Sequence, residues 1–147
     1  MYGHVRAVLA DKGRQVYTVS AKTTVREAVR VMNQNGVGAL LVVDGERPVG
    51  MFSERDVLRR IVDAGRDPNT TRVAEVMTGN PVVVEPSTTV EQAMGIMTQR
   101  RCRHLPVVEA GRVTGMVSIG DLTRWVSLNQ ETHIQHLVDY ITGAYPV

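Results

Sequence analysis

An internal repeat constrains the fold of this chain more than any other feature. The segment Thr23-Thr24-Val25 recurs as Thr88-Thr89-Val90, and this offset of about 65 residues then holds without a gap for roughly 40 positions. The matched positions mix apolar, glycine and polar residues; among them are Val19/Val84, Ala28/Ala93, Met32/Met97, Gly50/Gly115, Ser53/Ser118 and Asp56/Asp121. Chance composition would match only the apolar positions, so the two halves are copies of one unit.

Each copy predicts the order strand, helix, strand, strand, helix. Residues 16–19 and 82–84 are short β-branched runs typical of a first strand. Thr24 and Thr89 each begin a Thr-x-x-Glu/Gln capping box, which predicts a helix start behind them. Apolar runs separated by glycine-containing turns then predict one hairpin per copy, and a second helix follows it, at 54–64 and 119–128.

The predicted fold is a mixed α/β (α+β) domain built from two β-α-β-β-α repeats. Neither copy, at under about 70 residues, buries enough apolar surface alone, so we expect them to pack through their sheets with pseudo-two-fold symmetry. The predicted boundaries are an N-terminal helix and lead-in at 1–15, repeat 1 at 16–65, a linker with a lead-in helix at 66–80, repeat 2 at 81–128, and an amphipathic C-terminal helix at 129–147.

Composition excludes several classes of protein. The formal net charge is +2 over 147 residues, too small a surplus for a dedicated nucleic-acid binder. A single cysteine, Cys102, cannot form an internal disulfide, which indicates a reducing compartment. No apolar stretch approaches the roughly 20 residues of a membrane-spanning helix, and the N-terminus lacks an apolar leader region. We therefore expect a cytoplasmic protein without membrane contact.

The motif with most chemical content is Gly-x-x-Ser-x-x-Asp, at residues 50–56 and again at 115–121. By spacing alone, Ser53 and Asp56 are first a helix cap, since a hydroxyl and a carboxylate both suit the start of a helix. The alternative is an anion and ribose site at the point where a strand runs into a helix. Repetition of the motif as Ser118 and Asp121 keeps this alternative open.

A second motif is Arg100-Arg101-Cys102-Arg103-His104-Leu105-Pro106. Guanidinium groups bind phosphate in a bidentate, charge-assisted manner, although the end of a helix also attracts cations that remain solvated. Arg103 and His104 directly precede a buried strand and are the stronger candidates for phosphate contact. Cys102 could have a lowered pKa beside these arginines, but no catalytic arrangement accompanies it, and an inert thiol is the better interpretation. No ligand spacing for a metal is evident.

Together these residues resemble a tandem cystathionine β-synthase (CBS) domain pair, also called a Bateman module. The resemblance covers about residues 12 to 128 and rests on the duplicated element order, on the segments 37–43 and 102–108, and on Gly-x-x-Ser-x-x-Asp in both copies. The layout is also similar to small stand-alone bacterial CBS proteins, some of which hold AMP and a nicotinamide dinucleotide.

The resemblance implies two clefts for adenosine-containing ligands and a flat dimer of modules. It assigns ribose hydroxyls to Asp56 and Asp121, and phosphate to Ser53, Ser118 and Arg55. It also implies an adenine pocket lined by Thr18, Val37, Gly38 and Ala39, with Val83 and Cys102 as counterparts in the second copy. Arg103 and His104 would meet phosphate, and Lys12 and Arg14 could reach it from the lead-in. With the family in view, the ribose role of Ser-x-x-Asp outweighs the simple cap.

The sequence therefore predicts a non-catalytic regulatory, energy-sensing module that binds an adenine nucleotide, with AMP ahead of ADP, ATP and NAD(H). We expect no metal, a homodimer of CBS pairs, and a regulated protein whose identity the sequence does not give. The alternatives are an NAD(H)-binding redox sensor and a ligand-free dimerisation scaffold. The chain is too short to be a dehydrogenase of the kind that carries an inserted CBS pair, because the catalytic barrel alone needs about 250 residues. Because the copies differ in the candidate residues, we expect non-equivalent sites.

Overall fold

The computed structural model describes residues 3–129, 138 and 141, and these form two compact units. The repeat 1 unit contains residues 15–82 and 110–113, and the repeat 2 unit contains residues 3–14, 83–109 and the described residues from 114 onward. In chain order the elements are α1 (Val5–Lys12), β1 (Thr18–Ser20), α2 (Val25–Asn35), β2 (Ala39–Asp44), β3 (Arg47–Ser53), α3 (Glu54–Asp56), a π-helix (Val57–Val62), α4 (Val73–Val76), β4 (Thr78–Gly79), α5 (Val90–Arg100), β5 (His104–Glu109), β6 (Arg112–Ser118) and α6 (Ile119–Asn129).

The repeat 1 unit is built on a sheet with the strand order β1-β2-β3-β4. Strand β1 runs parallel to β2, and the pairs β2/β3 and β3/β4 are antiparallel. The apolar stripe of α2 packs onto this sheet, because its residues recur at helical spacing. The core contains Val25, Ala28, Met32, Leu40, Val42, Phe52, Ile61, Val73 and Val76. This confirms the mixed α/β class and places the end of β3, with the serine and aspartate motif, against a rigid core.

The repeat 2 unit has the same layout with a reduced first strand. Its sheet consists of β5 and β6, and the predicted strand at 82–84 is present only as a parallel bridge from Val84 to Val107. The prediction of a full strand there was wrong. Val84 still exchanges backbone hydrogen bonds with β5, but Val83 is exposed, so burial does not reinforce a longer pairing.

The lead-in helices show a relationship that the repeat alone did not predict. Helix α1 lies in the repeat 2 unit, where Val5 N donates to Thr88 O at 2.8 Å. Helix α4 makes the equivalent bond in the repeat 1 unit, from Val73 N to Thr23 O at 2.8 Å. The segment that precedes each copy in sequence therefore packs with the other copy. This exchange brings the last residue of α1, Lys12, to the second copy of the Ser-x-x-Asp motif.

The predicted helix starts are confirmed. The side chain of Thr24 accepts from Glu27 N, and that of Thr89 accepts from Gln92 N. Helix α2 ends at Gly36 in the left-handed conformation, and Arg101 takes that conformation after α5, with a φ of 54°. Both copies therefore terminate the helix in the same way, although only the first uses glycine.

The helix predicted at 54–64 is α-helical only over its first turn. From Val57 to Val62 it is a π-helix, in which Asp63 N donates to Leu58 O at 3.0 Å. Short π-helical turns are often found at functional sites. No described helix is long and apolar enough to cross a membrane. The predicted C-terminal helix at 129–147 lies largely outside the described residues, and the expected packing of the repeats through their sheets stays a prediction.

Candidate functional site

The first copy of the motif joins β3 to α3 through a complete capping box. Ser53 N donates to Asp56 Oδ2 at 2.9 Å, and Asp56 N donates back to Ser53 Oγ at 3.4 Å. Asp56 is buried, with only 8% of its surface exposed. Since a buried carboxylate needs charged or hydrogen-bonding partners, the cap explains why it is stable in this position. All of its hydrogen bonds from the described residues use Oδ2.

Asp56 Oδ1 faces a cation from the following helical turns. Arg60 Nε lies 3.8 Å from this oxygen, and the Nη1 of the same side chain donates to Val76 O and Met77 O at 2.8 and 2.9 Å. Arg60 therefore connects the first carboxylate with the end of α4. Arg60 belongs to no motif of the sequence, and its counterpart in the other copy is Trp125.

The second copy of the motif repeats the cap and adds a lysine. Ser118 N donates to Asp121 Oδ2 at 2.8 Å, and Asp121 N donates to Ser118 Oγ at 3.1 Å. Lys12 Nζ then donates to the same Oδ2 at 2.7 Å and to Met116 O at 2.8 Å. The side chains of this ion pair are 31% and 25% exposed, so it is only partly screened by solvent. Lys12 was predicted as a phosphate contact, and in the structure it contacts the predicted ribose carboxylate.

Asp121 and His104 have shifted pKa values. Burial acts to raise the pKa of Asp121, but hydrogen bonds from Lys12 and Ser118 and the charge of Lys12 outweigh it, so the pKa is lowered. Burial is also the main cause of the lowered pKa of His104, which Asp121 opposes and which Lys12 and Arg103 reinforce. His104, Asp121, Lys12 and Arg103 therefore form one electrostatic cluster with a neutral imidazole at pH 7.

The two copies differ sharply beside the motif. In the repeat 1 unit Glu54 N donates to Gly38 O at 3.0 Å, and a Cβ on Gly38 would lie 2.9 Å from Glu54 Oε1. The carboxylate of Glu54 thus rests against this glycine. In the repeat 2 unit the same backbone bond joins Ile119 N to Arg103 O at 2.9 Å, so an exposed guanidinium stands at the position of Gly38 and an apolar side chain at that of Glu54.

The other residues predicted to contact adenine or phosphate differ in their exposure. Thr18 is exposed on β1, while Val37 and Ala39 flank Gly38 at the start of β2. Val83 is 42% exposed, and Arg55 is exposed and makes no hydrogen bond or ion pair with the described residues. Whether these residues line an adenine pocket stays a prediction.

The environment of Cys102 agrees with its interpretation as an inert thiol. Burial raises the pKa of the thiol, an effect larger than the opposing influence of Arg100. The neighbouring arginines are exposed, so their charges do not overcome the desolvation of the sulfur, and the alternative of a lowered pKa is not supported. Across the described part of the chain, no group of three His, Cys, Asp or Glu side chains could hold a metal ion.

With this geometry established, comparison with known proteins defines the class of the chain. The CBS domain profile matches twice, at residues 5–63 and 73–128. The chain belongs to the CBS domain family. It is 43% identical over 127 residues to the mitochondrial CBS domain-containing protein CBSX3 of Arabidopsis thaliana, covering 83% of this chain and 62% of CBSX3. It is 40% identical over 108 residues to YhcV of Bacillus subtilis, covering 74% and 76% of the two chains. The chain thus spans about three fifths of the length of CBSX3.

Solved structures of CBS domain proteins superpose on this chain. A protein with CBS domains from Burkholderia ambifaria superposes with a TM-score of 0.82 at 42% identity, covering 86% of this chain and 96% of that one. The CBS domain protein PAE2072 from Pyrobaculum aerophilum, solved in complex with AMP, superposes with a TM-score of 0.77 at 25% identity, covering 92% and 98%. The tandem CBS organisation inferred from the repeat is therefore confirmed.

Proposed function

We propose that this CBS pair is a non-catalytic regulatory module that binds adenine nucleotides at the two Ser-x-x-Asp motifs, with AMP as the foremost ligand. The single observation that carries the proposal is the duplicated carboxylate at a strand end, Asp56 and Asp121, each held rigid by a serine cap. Each carboxylate uses Oδ2 for its cap. Oδ1 of Asp121 accepts no hydrogen bond from the described residues, and Oδ1 of Asp56 lies 3.8 Å from Arg60 Nε, so both oxygens have capacity to accept from a ribose hydroxyl. The AMP complex of PAE2072 supports the choice of ligand.

The regulatory role follows from how such binding acts. A ligand shifts a conformational equilibrium only by its differential affinity for the two states. Each motif is linked to a lead-in segment. In the repeat 2 unit, Lys12 of α1 bonds to Asp121, and in the repeat 1 unit, Arg60 lies beside Asp56 and bonds to the end of α4. Ligand occupancy at either carboxylate would therefore alter contacts of a lead-in segment, which is the means by which a regulated protein could read the signal.

We also propose that the module acts as a homodimer. The repeat 1 unit has an apolar groove of about 490 Å³ between α2 and the π-helix, with Val29 and Ile61 among its lining residues. The neighbouring Leu58 and Val62 are 64% and 68% exposed. Contiguous apolar surface of this kind is typical of protein interfaces. Val62→Glu should convert a dimer to a monomer in light scattering, whereas Arg59→Glu on the same helix should not.

A ligand screen on the full chain tests the binding proposal. Purified protein, shown to be folded and free of bound nucleotide, would be melted with AMP, ADP, ATP, NAD, NADH and S-adenosylmethionine. A ligand specific for the folded state raises the midpoint in proportion to RT ln(1 + [L]/Kd). A selective rise with AMP supports the proposal. A rise only with NAD or NADH favours the redox sensor, and no rise with any ligand favours a dimerisation scaffold.

Substitutions then test the site. Asp56→Asn and Asp121→Asn together should weaken AMP binding by at least tenfold while preserving the cap, since an amide oxygen still accepts from the serine N. Asp44→Asn, on the exposed turn of the first hairpin, is the matched control and should bind as the wild type does. Unchanged affinity in the double variant would contradict the ribose assignment.

A further inference from the structure

Asp56 and Asp121 occupy the same position of the shared motif, but the charged groups beside them differ. At Asp121 the neighbouring cations are Lys12, hydrogen-bonded to the carboxylate at 2.7 Å, and Arg103, which with Lys12 acts on the same imidazole of His104. This cluster has one cation in excess. Its residues come from α1, from β5 and the residue before it, and from α6, so the positive charge is assembled by the fold rather than by a run of sequence.

At Asp56 the balance is different. The carboxylate of Glu54 rests against Gly38, where the other copy carries Arg103. The cations nearby are Arg60, whose Nη1 is already bonded to Val76 O and Met77 O, and the exposed Arg55. The two carboxylates and two guanidinium groups give this site no net charge, and the group beside Gly38 is the carboxylate of Glu54.

We propose that the two sites divide adenosine ligands by charge. The repeat 2 site, with Lys12 and Arg103, takes phosphorylated adenine nucleotides, and the repeat 1 site, with Glu54, takes adenosine-type ligands that carry no phosphate. This inference rests on the proposed function, because it presumes that both carboxylates hold ribose.

The hydrogen-bond donors and acceptors that remain at each site explain this assignment of ligands. An ammonium has three donors, and Lys12 spends two of them on Met116 O and Asp121 Oδ2, which leaves one for a phosphate oxygen. Asp121 Oδ1 accepts nothing from the described residues and can take a ribose hydroxyl. At the other site a phosphate that approached the start of β2 would meet the carboxylate of Glu54, and the two like charges would repel each other.

Isothermal titration of the full chain with two probes, AMP and adenosine, tests the proposal. Asp121→Asn should weaken AMP by at least tenfold and leave adenosine within twofold, whereas Asp56→Asn should do the reverse. Lys12→Met should lower AMP affinity by about tenfold, as loss of one charge-assisted hydrogen bond implies. Lys12→Arg should restore it, which separates the charge from any structural role of the side chain. Lys22→Met removes the same charge from an exposed turn and is the control.

A variant expected to bind AMP more tightly provides an independent test of the proposal. Glu54→Gln should strengthen AMP binding at the repeat 1 site in the background of Asp121→Asn, and Glu109→Gln, exposed at the end of β5, should not. Equal weakening of AMP by Asp56→Asn and Asp121→Asn would overturn the division by charge while leaving the proposed function intact. Absence of binding by both AMP and adenosine to the folded wild type would overturn the two proposals together.

Discussion

Lys12 Nζ lies 2.7 Å from Asp121 Oδ2, across 109 positions of the chain. This bond ties the end of the first helix to the motif of the second copy. The carboxylate is ionised in the folded state, because the hydrogen bonds and charge that act on it overcome the effect of burial on its pKa. The effect of this bond on the pKa of Asp121 can be measured in solution.

Lys12→Met should raise the pKa of Asp121 relative to the wild type. The folded pKa of this carboxyl lies below its ordinary value of 3.8, so its contribution to stability is fully present above that pH and is lost as the pH falls through the lower folded pKa. Without Lys12, burial is opposed only by the cap, so the folded pKa rises and this carboxyl contributes less stability to be lost on acidification. Carboxyl ¹³C NMR titration measures the shift, and an identical pKa in Lys22→Met is the expected control result. An unchanged pKa in Lys12→Met would show that the ion pair is absent in solution.

His104 should make stability fall on acidification. Its folded pKa is lower than the ordinary value of 6.5, mainly through burial, so the unfolded chain binds more protons. Stability from this group is present above pH 6.5 and is lost as the pH falls through the folded pKa. Urea unfolding at pH 7 and pH 5 should therefore show a smaller pH dependence for His104→Gln than for the wild type. His4→Gln is the comparison variant, and an equal change in both would contradict the role of His104.

Glycines at the matched positions 50 and 115 should resist enlargement. A Cβ on Gly115 would lie 2.8 Å from both methyl carbons of Leu9, and one on Gly50 would lie 2.5 Å from Met77 Sδ and 2.9 Å from Thr78 O. Gly50→Ala and Gly115→Ala should each lower the free energy of unfolding by about 1–3 kcal/mol through overpacking, more so at Gly50 because backbone cannot move aside. Gly79→Ala, with open space around it, should change it little. Chemical denaturation measures all three, and a neutral Gly50→Ala would contradict the close approach of β4.

Arg60 should stabilise the repeat 1 unit. Its guanidinium satisfies the carbonyls of Val76 and Met77 at the end of α4, groups that a short helix cannot pair internally. Arg60→Met should cost about 1–2 kcal/mol of the free energy of unfolding, as expected for hydrogen bonds from a charged donor. Arg59→Met, exposed on the adjacent position, should be close to neutral. Thermal and urea unfolding would compare the two, and equal effects would indicate that the carbonyl contacts contribute nothing.

Local signals in the sequence were sufficient for much of the fold. Thr24 and Thr89 predicted their helices because a capping hydroxyl acts on its own first turn. The repeat then identified the class, since Ser53/Ser118 and Asp56/Asp121 recur at one spacing. The first strand of the second copy was overpredicted, because residues 82–84 have β-branched side chains but only Val84 finds a partner. Strand length depends on what a run packs against, which its composition does not contain.

The sequence by itself determined the elements, the duplication and the two carboxylates, because helix capping, periodicity and motif spacing act over a few residues. Only the tertiary structure decided which cation meets which carboxylate. Lys12 precedes the first copy yet pairs with Asp121 of the second, and Glu54 comes to rest on Gly38. Such contacts depend on the exchange of the lead-in helices and on the register of the strands. Val5 and Val73 are fully buried where the lead-in helices meet the two units, and strand register follows from which face of each strand is buried, so neither can be found in a local pattern.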